Sequence, residues 1–345
     1  MLVYYLQPRR LFIFTIYVCY LLGLLELMAR TFWLVTHGVP FFHSDQIIYV
    51  FYPELMPIMA ADIRRDDDYF DVLFVGGSVL TPKYGFVETI LQQKLSQGTG
   101  RKFRIFNVAG VGHTSLDSYY KYSYLQAKPF DLVVLYHGIN DVRTNNAPPE
   151  LFQINYSHYS WYKSIALFQQ HSEIKYLAFP YTLQHAWLLF REGQGLDVYI
   201  PKDSPPQTWL IYGNEVKSAY PFEQNMRHII ELAQQKHEPL MTASFAYYVP
   251  ANYSKEKFKA HELDYGQHTI PIERWGLPEN VMKGLEVHAA VLTQLVEAHP
   301  EIYFVDLQKI IPKNGAYFDD ICHLTYKGSE IFADNIIEVM RKIAH

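Results

Sequence analysis

Short apolar runs alternate with helically spaced apolar residues along most of the chain. The run at 72–75 is apolar and partly β-branched, and turn residues bound it, as expected of a central parallel strand. It breaks at Gly76-Gly77 and presents Ser78. Positions 86, 87, 90, 91 and 95 then recur at helical spacing, ending near Gly98. A second strand is expected at 104–108, followed by Ala109-Gly110-Val111-Gly112 and a helix with Thr114 or Ser115 as N-cap. A third, at 131–136, ends in His137-Gly138-Ile139-Asn140-Asp141. After an interruption at about 144–220 the alternation returns: a helix at 222–235 with Met226, Ile229, Ile230 and Ala233 inward, a strand at 239–247 and a polar loop at 250–278. A helix at 281–298, a strand at 301–306 and a closing helix at 326–343 complete it. Strand–helix–strand at this spacing implies βαβ units and a parallel sheet. No internal repeat is visible.

The N-terminal pattern differs. Arg9-Arg10 precede an apolar stretch at 11–29 that is broken only by Glu26 and closed by Arg30. Roughly 20 apolar residues span a bilayer. Glu26 is tolerable there if it reaches the interface or pairs with Arg30, and Tyr4-Tyr5 and Trp33 suit interfacial positions. No small-x-small cleavage site follows the run, so an uncleaved anchor is expected in preference to a signal peptide or a buried helix of a soluble protein. The excess of Arg on the N-terminal side places that side in the cytoplasm and the rest outside. The expected organisation is therefore a cytoplasmic stub and anchor at 1–35, a connector at 36–69 and one domain at 70–345, aromatic-rich at about 144–220. That insertion suits either a helical subdomain with an aromatic core or a binding surface over the sheet. The charged run Arg64-Arg65-Asp66-Asp67-Asp68 reads as a solvated loop, since successive side chains do not converge on a metal.

The 345 residues carry a net charge of −5 with no basic stripe, which argues against nucleic acid as a partner. Two cysteines, Cys19 and Cys322, make no disulfide framework. The 15 histidines include no His-x-x-x-His pair, and there is no Gly-x-x-x-x-Gly-Lys phosphate loop, so neither metal nor cofactor is expected. His113 and His137 are expected to pack or hydrogen-bond locally. The tripeptides Asn155-Tyr156-Ser157 and Asn252-Tyr253-Ser254 match the glycosylation acceptor pattern, which matters only in a eukaryotic secretory pathway.

Four chain ends beyond predicted strands carry polar features: Ser78 after Gly76-Gly77, Gly110 in Asn107-Val-Ala-Gly, Asn140 in Gly-Ile-Asn-Asp, and His323 in Asp320-Ile-Cys-His. Each is an ordinary turn residue when taken alone. In this order the set resembles the SGNH hydrolases, or GDSL-like esterases, from about residue 71 to 343. Gly77 stands where an aspartate is common in that family, and Leu80 removes the Gly-x-Ser-x-Gly elbow of the α/β-hydrolases. The resemblance implies a three-layer α/β/α domain with a five-stranded parallel sheet in the order 2-1-3-4-5. It also implies a Ser78–His323–Asp320 triad and an oxyanion hole from the amides of Ser78 and Gly110 and the side chain of Asn140.

The residue chemistry agrees with that implication. A serine hydroxyl needs an adjacent base, and neutral imidazole suits the task. A carboxylate three residues before the histidine can orient it; Asp320 is preferred to Asp319, which is expected to face solvent or cap a turn. The expected reaction is ester hydrolysis through an acyl-serine, on an O-acyl group, acetyl by preference, of an extracytoplasmic glycan. Three competitors stand beside it: a lipid esterase or lysophospholipase, an O-acyltransferase using the same residues, and a membrane-anchored binding or assembly protein without catalysis. The last predicts that Ser78, Asn140 and His323 do not converge.

Overall fold

The computed structural model describes residues 8–96, 102–200 and 205–344. Tyr4-Tyr5, expected at a membrane interface, lie outside the described residues. The chain forms two compact units: one takes the chain up to Pro53 with Ser160–Tyr199, the other Glu54–Tyr159 with the chain from Ile200 onward.

The second unit is built on five parallel strands: β1 (Tyr69–Gly76), β2 (Lys102–Asn107), β3 (Leu132–Tyr136), β4 (Leu240–Ala243) and β5 (Tyr303–Val305). Their order is β2-β1-β3-β4-β5, as expected. Side chains alternate across a strand, and the sheet uses both faces. Phe70, Val72 and Phe74 of β1, with Leu132, Val134 and Tyr136 of β3, pack in one core with Ile90, Leu91, Phe332 and Ile336. Those last four lie on helices Val87–Ser96 and Tyr326–Ala344, which pack on one another. The alternate positions, Leu73, Val75, Val133 and Leu135, are equally buried. Helices Ser115–Tyr124, Ala219–Lys236 and Pro278–Ala298 form a second packed group. A strand buried on both faces has no polar alternation to show, which is why the run at 72–75 reads as continuously apolar.

One polar residue interrupts β1. Asp71 is buried and paired through both carboxylate oxygens with Arg104 on β2, at 2.6 Å each. At the entry to helix Ser115–Tyr124, Thr114 is the N-cap of a complete capping box with Asp117, one of the two N-caps the sequence offered.

In the first unit, helix Pro8–His37 is long and apolar enough to cross a membrane, with a mean hydropathy of 2.2 over its best window. It packs on helix Phe179–Gly193. Glu26 explains itself there: its carboxylate accepts the amides of Ala178 and Phe179 at 2.9 Å each, at the start of the second helix, and pairs with Arg30. Trp33 stacks on Tyr181 and donates its indole N–H to Thr182 at 2.9 Å. Tyr162, Phe168 and Tyr181 are buried, so much of the aromatic segment is core.

Two boundaries differ from expectation. The stretch 36–69 is no bare connector: helices Ile48–Phe51 and Leu55–Ala60 lie in it, and the unit boundary falls at Pro53. Of the expected insertion at 144–220, only Ser160–Tyr199 leaves the second unit.

Candidate active site

The carboxyl ends of β1 and β3 and the segment before the closing helix bring Ser78, Asn140 and His323 together. The turn after β1 is tight. A Cβ on Gly76 would stand 2.8 Å from the carbonyl of Tyr136, and one on Gly77 would stand 3.0 Å from the Asn140 amide nitrogen. Glycine at both places lets the neighbouring strand and Asn140 approach the serine. Ser78 opens a single 3-10 turn, Ser78–Leu80, where the first amides have no partner within the turn.

Ser78 Oγ lies 2.9 Å from His323 Nε2. His323 Nδ1 lies 2.8 Å and 3.0 Å from the two carboxylate oxygens of Asp320. A carboxylate only accepts, so Nδ1 carries the proton and Nε2 is left to accept from the serine hydroxyl. All three residues are buried, as is Asn140. Asp320 is itself fixed: it accepts the backbone amides of Cys322, His323 and Ile270 at 3.0, 2.9 and 3.0 Å. Asp319 departs from expectation, being only 7% exposed. Burial pushes its carboxyl up, and its own amide donates to the His323 carbonyl.

Asn140 is oriented from both ends. Its Oδ1 accepts the indole N–H of Trp275 at 2.9 Å, and its Nδ2 donates to the His113 carbonyl at 3.0 Å. An amide nitrogen has two hydrogens, so one remains for a ligand near Ser78.

Gly110 behaves otherwise than expected. Its amide donates to the Gly76 carbonyl at 3.0 Å, continuing the β1–β2 pairing past the strand end, and is thus already used. Gly112, two residues on, lines the cavity beside Ser78 and Asn140. Its φ is +77°, a conformation suited to glycine, and its amide has no hydrogen-bond partner among the described residues.

A cavity of about 450 Å³ opens over Ser78, walled by Tyr84, Gly112, Asn140, Arg143 and Trp275 among others. Tyr84 stacks on the His323 ring, with centroids 4.8 Å apart. Arg143 donates to the Gly112 carbonyl at 3.0 Å. Sequence reasoning missed Tyr84, Gly112, Arg143, Ile270 and Trp275; the last two come from the loop at 250–278, whose path no local pattern reveals. His113 and His137 pack and hydrogen-bond locally: burial pulls their pKa values down to about 4 and about 3, and His137 lies 2.5 Å from Ser118 Oγ.

Asp320, Cys322 and His323 also place three potential metal ligands within 4.8 Å of one another. Both imidazole nitrogens are already directed, at Asp320 and at Ser78, and burial raises the Cys322 thiol well above its ordinary value, so the thiol keeps its proton. The donor set therefore fits an Asp–His couple and does not fit a metal centre.

No family model matches the chain, and no curated protein matches it. Among solved structures it is similar to a GDSL-like lipase from Bacteroides thetaiotaomicron, at 14% identity over 87% of this chain and 98% of that one, with a TM-score of 0.45. An acetylxylan esterase from Geobacillus stearothermophilus matches at 14% identity over 80% and 94%, TM-score 0.40. A Clostridium thermocellum family 3 carbohydrate esterase matches at 15% over 80% and 100%, TM-score 0.41. At such low identities and TM-scores, the case for chemistry rests on the side chains of this chain alone.

Proposed function

We propose that the protein is a serine esterase working through an acyl-serine intermediate. The observation that carries this reading is the continuous Ser78–His323–Asp320 hydrogen-bonded series at the edge of a cavity. Ser78 Oγ attacks the ester carbonyl carbon while His323 Nε2 takes the hydroxyl proton. Asp320 steadies the resulting imidazolium. The carbonyl oxygen becomes an oxyanion facing the amides of Ser78 and Gly112 and the free N–H of Asn140, with Gly112 replacing Gly110 in this role. Each such donor typically contributes ~3 kcal/mol to the transition state. The intermediate collapses as His323 protonates the leaving alcohol. Water, deprotonated by the same imidazole, then releases the acid and restores Ser78.

The cavity supports a short acyl group on a polar alcohol. Its wall mixes aromatic rings with Arg143, Gln207 and Arg274, and its volume of about 450 Å³ suits a small acyl ester better than a long lipid chain. The helix Pro8–His37 is long and apolar enough to cross a membrane. With Arg9-Arg10 on its N-terminal side, we read it as an uncleaved anchor with the second unit outside the cytoplasm, and an O-acetylated envelope glycan as the substrate. The binding-protein alternative required the three side chains to stay apart, and their separations favour catalysis.

The test is fluorophosphonate labelling and p-nitrophenyl acetate hydrolysis by the full-length chain in detergent. Both are expected in wild type and absent from Ser78→Ala, with hydrolysis also lost from His323→Ala. Folded wild-type protein that neither labels nor hydrolyses would sink the reading.

A further inference from the structure

Lys121, on helix Ser115–Tyr124, is wholly buried. A buried ammonium needs strong partners, and three acceptors surround this one: Glu54 Oε1 at 3.0 Å, His113 Nδ1 at 2.8 Å and the carbonyl of Val108. Two of the three belong to a single loop. Val108 begins, and His113 ends, the stretch joining β2 to the helix, and Gly110 and Gly112 lie between them.

That loop leads straight to the oxyanion donors. Lys121 can only donate, so His113 Nδ1 accepts and the ring is neutral. The ring lies flat against Gly110, where a Cβ would stand 2.1 Å from Nδ1. The backbone carbonyl of His113 receives the Asn140 amide at 3.0 Å. The ammonium thus grips both ends of a short loop whose penultimate residue, Gly112, lines the cavity and whose last carbonyl aims Asn140.

The geometry points to Lys121, held by Glu54, as a positioning residue for the oxyanion hole: it sets the 108–113 loop and, through that loop, the Gly112 and Asn140 donors. This inference rests on the esterase reading of the site. Lys121 is not among the residues that wall the cavity, so its effect falls on transition-state stabilisation and not on ester binding.

The test uses the full-length chain in detergent, p-nitrophenyl acetate as the probe ester, and selective 15N-glycine labelling. Lys121→Met keeps the chain length and removes the charge. The expected kcat is at least about tenfold lower, moving toward the 10²–10³-fold loss typical of deleting one oxyanion donor, with KM changed less than about threefold. The Gly110 and Gly112 amide resonances shift. Glu54→Gln keeps an acceptor oxygen and is expected to give a smaller loss of the same kind, with KM held. A folded Lys121→Met with wild-type kcat and unmoved glycine resonances overturns the proposal, as does a rise in KM at constant kcat. If Lys121→Met does not fold, Glu54→Gln decides alone, and unchanged kcat there overturns it. Absence of wild-type turnover would instead sink the esterase reading, and the glycine resonances would then decide whether Lys121 sets the loop.

Discussion

At the scale of single residues, the two adjacent aspartates separate by partner. Asp320 accepts three backbone amides and the His323 ring, so its carboxylate fixes the tautomer that Ser78 needs. Asp320→Asn is expected to lower kcat by roughly 10²–10⁴-fold, because an amide N–H facing Nδ1 favours the wrong tautomer. Asp319→Asn should change kcat less than about threefold, on the scale of a neighbour that does not hold the imidazole. Steady-state kinetics on the pair checks this; equal losses would reverse the assignment. Ser78, Asn140, Asp320 and His323 were legible because each polar residue follows a strand or adjoins a turn of its own. The choice between Gly110 and Gly112 was not, since sequence cannot tell which amide the strand pairing has already used. Trp275 and Ile270 were not legible either: their roles depend on where a loop folds back, and spacing encodes nothing of that.

Among elements, the joint between the β3 exit and the start of helix Ser115–Tyr124 carries a titratable load. Asp141 is fully buried and accepts the Ser115 amide, the Ser115 hydroxyl and the Tyr156 hydroxyl. Burial pushes its carboxyl up to about 7 against those hydrogen bonds. A group whose folded pKa is raised holds a proton that the unfolded chain releases near pH ~4. Its contribution is therefore complete in acid and is lost as pH rises toward 7, by up to ~1.4 kcal/mol for each step of one in pH. His113 and His137, held neutral by burial, act with the opposite sign below pH ~6.5, so a difference is needed to isolate Asp141. The unfolding free energy of wild type minus that of Asp141→Asn should fall as pH rises from ~4 toward about 7 and level off above it; a difference independent of pH would refute this. Element positions were largely legible, since short continuous apolar runs bounded by turn residues and period-3.6 patterns are properties of the local chain. Strand lengths were not. Strand β4 stops at Ala243, well short of the apolar run to 247, because β5 pairs only with residues 241 to 243.

Over the whole molecule, every residue named at the site belongs to the second unit, whereas the apolar helix belongs to the first. Division of labour follows, and Glu26 is where it can be tested. Its carboxylate sits in an apolar helix, yet two amides and Arg30 satisfy it. Glu26→Leu would leave those two amides without their acceptor, at about 1–3 kcal/mol for each unsatisfied group, and would remove one of Arg30's partners, the carbonyls of Phe41 and Tyr176 remaining, while making the helix more apolar. The expected outcome is faster limited proteolysis within 160–199, partitioning between membrane and soluble fractions unchanged from wild type, and p-nitrophenyl acetate hydrolysis within about twofold of wild type, a change of ~0.4 kcal/mol or less. Unchanged proteolysis would mean that Glu26 does not hold the helix Phe179–Gly193. Lost hydrolysis with intact membrane association would mean that the first unit contributes to the chemistry. The substitution also matters for any shortened chain: starting at Val35 deletes Glu26, Arg30 and Trp33 together, and with them the contacts that organise the first unit.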